Sequence, residues 1–222
     1  MEADVLIIGG GAAGTVAALL LAKAGKHCII LEKNGQIGRK LRITGKGRCN
    51  LTNACDLDTL MANVPRNPKF LYSAFARWMP EDVMAYFEQL GVPLKVERGN
   101  RVFPVSDRAE DIVAALQRAL KRAGVPVYRE TVQQLLLQEG RCTGVQTASG
   151  KQYAAKYVLL AAGGASYPAT GSTGDGYTLA KQAGHTIVPP LPALVPLEVQ
   201  EKWCSDLMGL SLRNVSLKLY NG

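Results

Sequence analysis

The stretch "VLIIGGGAAGTVAALLLA", residues 5–22, constrains this chain more than any other. It carries no charge, so on hydropathy alone it imitates a membrane span. The start Met1-Glu2-Ala3-Asp4 is acidic where a secretory signal is basic. Three consecutive glycines also make a poor helix interior, each costing about 1 kcal/mol relative to alanine. The segment therefore reads as strand, turn and helix. Gly9, Gly11 and Gly14 fall in the GxGxxG spacing, after the apolar run Val5–Ile8 and before a helical run, Thr15–Ala24. Gly9 permits the tight turn, Gly11 lets a pyrophosphate approach the backbone, and Gly14 lets the helix pack on the sheet. With Ala12 and Ala13 they form a helix N-terminus whose free N–H groups suit phosphates.

The motif continues in order. Gly25 ends the helix and "HCIILEK" supplies a second strand, closing on Glu32, 18 residues beyond Gly14. A carboxylate there can accept both ribose hydroxyls of an adenosine, and it disfavours a 2′-phosphate. FAD or NAD is thus expected in place of NADP, with Lys33 beside the acid.

Six residues beyond Glu32 begins "GRKLRITGKGRCNLTN" (38–53), with Arg39, Lys40, Arg42, Lys46 and Arg48, three glycines and no carboxylate. The cations suit a pyrophosphate, an anionic substrate or a reduced flavin. Gly38, Gly45 and Gly47 would admit a flat ligand, and Asn50, Thr52 and Asn53 offer neutral donors and acceptors. Cys49 is the candidate proton donor, its thiolate favoured by Lys46 and Arg48; a small buried residue packed beside the ligand is the alternative. Arg48 is a candidate for stabilising negative charge near the flavin or on an enolate-like intermediate. Ser166 and Tyr167 are further candidates.

Three stretches, the basic one, "RVFPVSDRAEDIVAAL" (101–116) and "AAGGASYPATGSTGDGYTLAKQAGH" (161–185), closely resemble the YhiN-like (BaiN-like) flavoproteins, the aminoacetone-oxidase-family FAD-binding enzymes. The resemblance runs the length of the chain. It implies noncovalent FAD, an α/β Rossmann-like two-dinucleotide-binding fold with a parallel sheet and β-meander, and oxidoreductase chemistry. Family members are linked to reduction of carbon–carbon double bonds, including dihydrouridine formation in ribosomal RNA and steroid-like substrates, with NADH or NADPH as electron donor. By the same resemblance the backbone of Val132 contacts adenine, and Ala162-Gly163-Gly164 lie over the cofactor.

Elsewhere, residues 65–91 read as two helices, with Phe70, Phe75, Trp78, Tyr86 and Phe87 expected in the core and base stacking by one of them the alternative. A hairpin turns at Gly99-Asn100, and an amphipathic helix carries apolar residues at 112, 113, 116 and 120. A further strand, a three-stranded meander and a buried strand, Tyr157–Ala161, follow. Thr173, Gly174 and Asp175 open a second glycine loop and helix, as caps or ligand contacts. Four prolines in "TIVPPLPALVPLEV" mark a boundary near residue 188. Residues 1–188 are thus an FAD-binding domain and 189–222 the start of a β-rich inserted substrate domain. Against the family's longer chains, a C-terminal return to the FAD domain is missing, and weak FAD retention is expected.

Composition narrows the classes. Net charge +8 favours anionic partners: nucleotides, RNA or acidic surfaces. Five scattered cysteines indicate reduced thiols in the cytoplasm, not a disulfide framework. Two distant histidines, His27 and His185, give no metal site or histidine triad. Two other functions compete: a dithiol–disulfide oxidoreductase using Cys49 and Cys55, and a non-catalytic nucleotide- or RNA-binding fragment. The first is weakened because no second GxGxxG follows residue 14.

Overall fold

β1 (Glu2–Ile8) runs between β2 (Cys28–Glu32) and β9 (Gln152–Leu160), parallel to both. The computed structural model describes residues 2–192, 200–212, 215, 216, 218 and 220. The apolar run of β1 has no alternation because both faces of the strand are covered. Val5 and Ile7 pack with α1 (Ala12–Lys23) and α5 (Ala109–Arg122), whereas Leu6 and Ile8 face Leu135, Val145 and Tyr153 of the meander. The six-stranded sheet has the order β6-β2-β1-β9-β8-β7, with β6 at Val127–Arg129, β7 at Val132–Gln138 and β8 at Arg141–Thr147.

One strand does two jobs. The sequence suggests a meander followed by a separate buried strand; instead the N-terminal half of β9 pairs antiparallel with β8, and the strand runs on parallel to β1 through Leu160. Tyr157, expected in a buried strand, is 69% exposed, and Leu159 and Leu160 are 36% and 38% exposed.

Between β2 and α5 lies a second layer. A 3₁₀ segment (Leu41–Gly47), broken at Thr44–Lys46, leads into β3 (Thr52–Asn53). Three helices follow: α2 (Leu57–Ala62), α3 (Pro68–Arg77) and α4 (Pro80–Gln89). Then β4 (Leu94–Glu97) and β5 (Arg101–Pro104) complete a three-stranded sheet with β3. The β4–β5 connection is three residues long, Arg98–Asn100, and places Gly99 and Asn100 at φ 76° and 56°, in the left-handed region such short hairpin loops use. α5 buries Ile112, Val113, Leu116 and Leu120, as its 3.6-residue period dictates. α2 has weak apolar periodicity, but Asp56 caps it by accepting from the Thr59 amide at 2.8 Å. Among the five aromatics expected inside, Phe87 is buried, whereas Phe70 is 86% exposed. α3 turns Leu71 and Phe75 inward and leaves Phe70 on the opposite face.

Contacts divide the chain at Ile187/Val188. In the second unit, the described residues include one short helix, α7 (Trp203–Asp206), and no strand. The expected β-rich element at 210–222 lies partly outside the described residues. No described helix is long and apolar enough to cross a membrane.

The glycine turn is where the core is tightest. Gly9 has φ 109°, and a β-carbon there would meet the Ala161 carbonyl oxygen at 2.5 Å; one on Gly14 would collide with the carbonyl of Gly9. A β-carbon on Gly11 meets nothing within 4 Å. Gly14→Ala is therefore expected to lower stability by about 2 kcal/mol or more, while Gly11→Ala, a change of N-cap with no clash, lowers it by roughly 0.5–1 kcal/mol. Urea denaturation followed by circular dichroism checks both; equal effects would contradict the packing described.

Candidate functional site

At the C-terminal ends of β1, β2 and β9 a crevice of about 340 Å³ opens, lined by Gly9–Ala13, Glu32–Asn34, Gly38–Leu41, Glu130–Val132, Ala161–Gly163, Thr170–Ser172 and Asp175, among others. Carboxyl ends of parallel strands are where open α/β sheets bind ligands. α1 points its N-terminus into this space. Its N-cap is Gly11, no side chain caps it, and no acidic residue occupies its first turn. The leading amides thus keep hydrogen-bonding capacity and partial positive charge for an anion.

Glu32 ends β2 and is 8% exposed. Its Oε2 accepts from the Gly10 amide at 2.7 Å, and Oε1 accepts from both the backbone and side-chain nitrogens of Asn34 at 2.8 Å. These bonds fix the carboxylate beside the glycine turn. A carboxylate has about four acceptor sites; three are taken here, so Oε2 keeps one for a ribose hydroxyl.

Two lysines tie the facing wall to β2 and the basic segment. Lys33 Nζ donates to Thr173 Oγ1 and Asp175 Oδ2, each at 2.6 Å, and Lys40 Nζ donates to the Ser166 carbonyl at 2.8 Å. The bonds from Lys33 and Thr173 hold the Asp175 carboxyl below the usual carboxylate range. Asp175 also begins α6 (Asp175–Gln182), where negative charge is favourable. Arg39 donates to Asn34 Oδ1 at 3.0 Å.

Of the residues singled out from sequence, Gly9, Gly11, Ala12, Ala13, Glu32, Lys33, Arg39, Lys40, Val132, Ala162, Gly163 and Asp175 line this crevice. Gly14, Gly45, Arg48, Cys49, Asn50, Gly164, Thr173 and Gly174 do not. Gly14 supports the turn from behind, and Gly164 accepts from the Gly174 amide at 3.1 Å. Gly45, expected to approach a flat ligand, instead approaches Asn50 and the Phe103 ring. Asn50 is exposed on the far side of that turn.

Arg48 and Cys49 need correction. The Arg48 guanidinium lies over the Phe103 ring at 3.9 Å and pairs with Glu97 at 2.9 Å and Asp107 at 3.1 Å, so its charge is spent inside the second layer. Cys49 is 1% exposed within the core, and burial pushes its thiol up, so the expected thiolate is disfavoured and the packed alternative fits. Cys49 and Cys55 are free thiols, and the buried position of Cys49 leaves the dithiol alternative without support. Asn34 and Thr170–Ser172 were missed. "ATGST" is a run of small residues that could have signalled a wall; Asn34 carries no such signal.

An α/β chain with a glycine turn, a helix N-terminus and a β2 carboxylate around one crevice has the architecture of a dinucleotide-binding fold. The chain belongs to the HI0933-like protein Rossmann domain family, which it matches over residues 3–220. It is 36% identical over 198 residues to a 3-dehydro-bile acid delta(4,6)-reductase of Clostridium scindens, covering 88% of this chain and 47% of that protein. It is 33% identical over 213 residues to a ribosomal RNA dihydrouridine synthase of Haemophilus influenzae, covering 93% and 52%. The chain thus spans about half the length of the curated relatives it matches. Its fold resembles the 3-ketosteroid-delta4-(5alpha)-dehydrogenase from Rhodococcus jostii RHA1, with 20% identity, TM-score 0.58, and coverage of 73% of this chain and 46% of that one. A flavocytochrome c3 fumarate reductase is similar at 23% identity and TM-score 0.58, over 82% and 40%. At these identities the likeness is one of fold.

The Arg48 network sets an acid dependence. Glu97 is held below its ordinary range first by its bond from Arg48, and Asp107 first by its bond from Lys95. Depressed carboxylates stabilise the fold fully above the ordinary values of about 3.9–4.3, and that contribution disappears as pH falls through their lower folded-state values. Arg48→Met is therefore expected to melt below the wild type at pH 7, the gap closing below about pH 4. Melting curves across pH check this; a gap independent of pH would leave only the Phe103 stacking.

Proposed function

We propose that this chain forms the FAD-binding part of a flavin-dependent oxidoreductase that reduces a carbon–carbon double bond, with uridine in ribosomal RNA as the substrate. The observation that carries the cofactor assignment is the open approach at Gly11: the uncapped α1 amides face a crevice flanked by the buried Glu32 carboxylate. The α1 amides would hold the pyrophosphate, and Glu32 the adenosine ribose. Val132 lines the crevice at the start of β7 and would border the adenine. Lys33 and Lys40 keep the 163–175 wall closed against the basic segment, and Gly163, at φ 76°, brings backbone to the crevice without a side chain. When bound, FAD supplies hydride transfer, with NADH or NADPH as the electron source.

Reduction across a double bond is supported by both curated relatives, named as a delta(4,6)-reductase and a dihydrouridine synthase. Net charge +8 favours RNA, a polyanion, over a bile acid with its single carboxylate. Such a substrate assigns the protein to the cytoplasm. Residues 1–188 would form the FAD domain and 189–222 the start of the substrate domain. Cys49 takes a packing role here.

Purified chain titrated with FAD is expected to develop a protein-bound flavin spectrum. Gly11→Val, whose side chain fits the free crevice, is expected to weaken binding at least tenfold while lowering fold stability by no more than an N-cap change, about 1 kcal/mol. Anaerobic NADPH should bleach the bound flavin, and mass spectrometry of treated ribosomal RNA should find uridine gaining two hydrogens. A chain that binds NAD but not FAD, or whose Gly11→Val variant binds FAD normally, sinks the assignment.

A further inference from the structure

We propose that the outer face of α3, with the residues leading into it, is a docking surface for single-stranded RNA; this rests on the reading of an RNA substrate above. From Asn63 to Pro80 the chain contains no aspartate or glutamate and carries Arg66, Lys69 and Arg77. None of these cations forms a salt bridge or side-chain hydrogen bond among the described residues, whereas Lys33, Arg42, Arg48, Lys95, Lys151 and Lys156 all pair with carboxylates. In their midst stands Phe70, 86% exposed.

The helix geometry arranges these groups. Arg77 lies seven residues beyond Phe70, nearly in line with it on the 3.6-residue repeat and about 10 Å along the axis. Lys69 neighbours Phe70, and Arg66, just before the helix, shares a surface hollow with them, so positive charge flanks the ring at both ends. Ser73 and Ala74, both exposed, leave the space between Phe70 and Arg77 low and open. Asn67, at φ 49°, starts the helix abruptly and sets Arg66 beside the Lys69–Phe70 shoulder.

An unpaired aromatic ring between unpaired cations matches single-stranded nucleic acid: bases stack on the ring and phosphates meet the cations. A double-stranded segment would keep its bases stacked away from the ring. A protein partner fits less well, because interface cores are depleted of charge and here the single large apolar group is ringed by cations.

The test uses the intact chain and a fluorescent oligouridine 12-mer, with affinity read by anisotropy across salt concentrations. With three phosphates neutralised, log affinity should fall with log salt at a slope of about −2. Phe70→Ala should weaken binding about tenfold, within the range for loss of one stacked base, without changing the melting temperature of so exposed a site. The triple variant Arg66→Gln, Lys69→Gln, Arg77→Gln should flatten the slope, while Lys23→Gln, Lys26→Gln, Lys121→Gln, with equal charge loss elsewhere, should bind nearly as wild type. Equal effects of the two triples, undiminished binding by Phe70→Ala, or no binding by the wild type would each overturn the proposal. So would sedimentation showing a dimer that Phe70→Ala disperses. The FAD titration is independent of α3: RNA binding without flavin binding would sink the enzymatic reading alone, and flavin binding without RNA binding would sink this one alone.

Discussion

The structure depends on one close approach: the carbonyl end of β1, the first turn of α1 and the end of β9 meet with no room for a side chain. Gly14 lets α1 come down onto the carbonyl of Gly9, and Gly9 lets Ala161 come up beside it. This approach aims the α1 amides into the crevice. It also brings Ala161–Gly163 onto the same crevice as Gly11. Packing and the proposed anion site thus share one motif, with a division of labour. Gly9 and Gly14 serve the fold, and Gly11, where a β-carbon would meet nothing within 4 Å, leaves the approach from the crevice open.

The cations divide in a similar way. Arg42 and Arg48 are matched to Glu110, Glu97 and Asp107, and they bind the basic segment to α5 and the three-stranded sheet. These pairs are partly exposed, so each contributes little alone; their combined effect is to set the path of a segment containing several left-handed residues, Lys46 and Cys49 among them. With Arg48 so anchored, the segment presents Gly38–Leu41 and Thr44 to the crevice and keeps the rest away. The basic stretch is half ligand wall and half strut.

Why some of this was legible in the sequence, and some not, follows from the range of the forces involved. The βαβ unit, Glu32, the Gly99-Asn100 hairpin and α5 follow from local rules: backbone sterics, strand and helix periods, turn chemistry. Residues 38–53 defeated the same reasoning because their cations could choose among carboxylates more than 40 positions away, such as Glu97 and Glu110. A basic, glycine-rich run shows that charge must be balanced and not by what. For Cys49 the packed alternative fits the structure, because burial, which raises its thiol, is set by tertiary packing and not by the neighbouring cations in the sequence. Phe70 failed differently. α3 has an apolar side, but Phe70 lies off it, and composition cannot distinguish a core aromatic from one left in water.

That failure bears on what the charge of the chain is for. A net charge of +8 spread over paired residues would be neutralised locally and mean little beyond solubility. Here Lys33, Arg42 and Arg48, at the crevice and the strut, pair with carboxylates, whereas Arg66, Lys69 and Arg77 around Phe70 pair with none among the described residues. Leaving Arg66, Lys69 and Arg77 unpaired costs the fold nothing in desolvation, because all three stay in water. It keeps their full field available to an anion, while the charge near Glu32 and Asp175 is committed to shaping the crevice. The two surfaces are therefore electrostatically separable, the crevice shaped by paired charge and the α3 face carrying charge the fold does not consume.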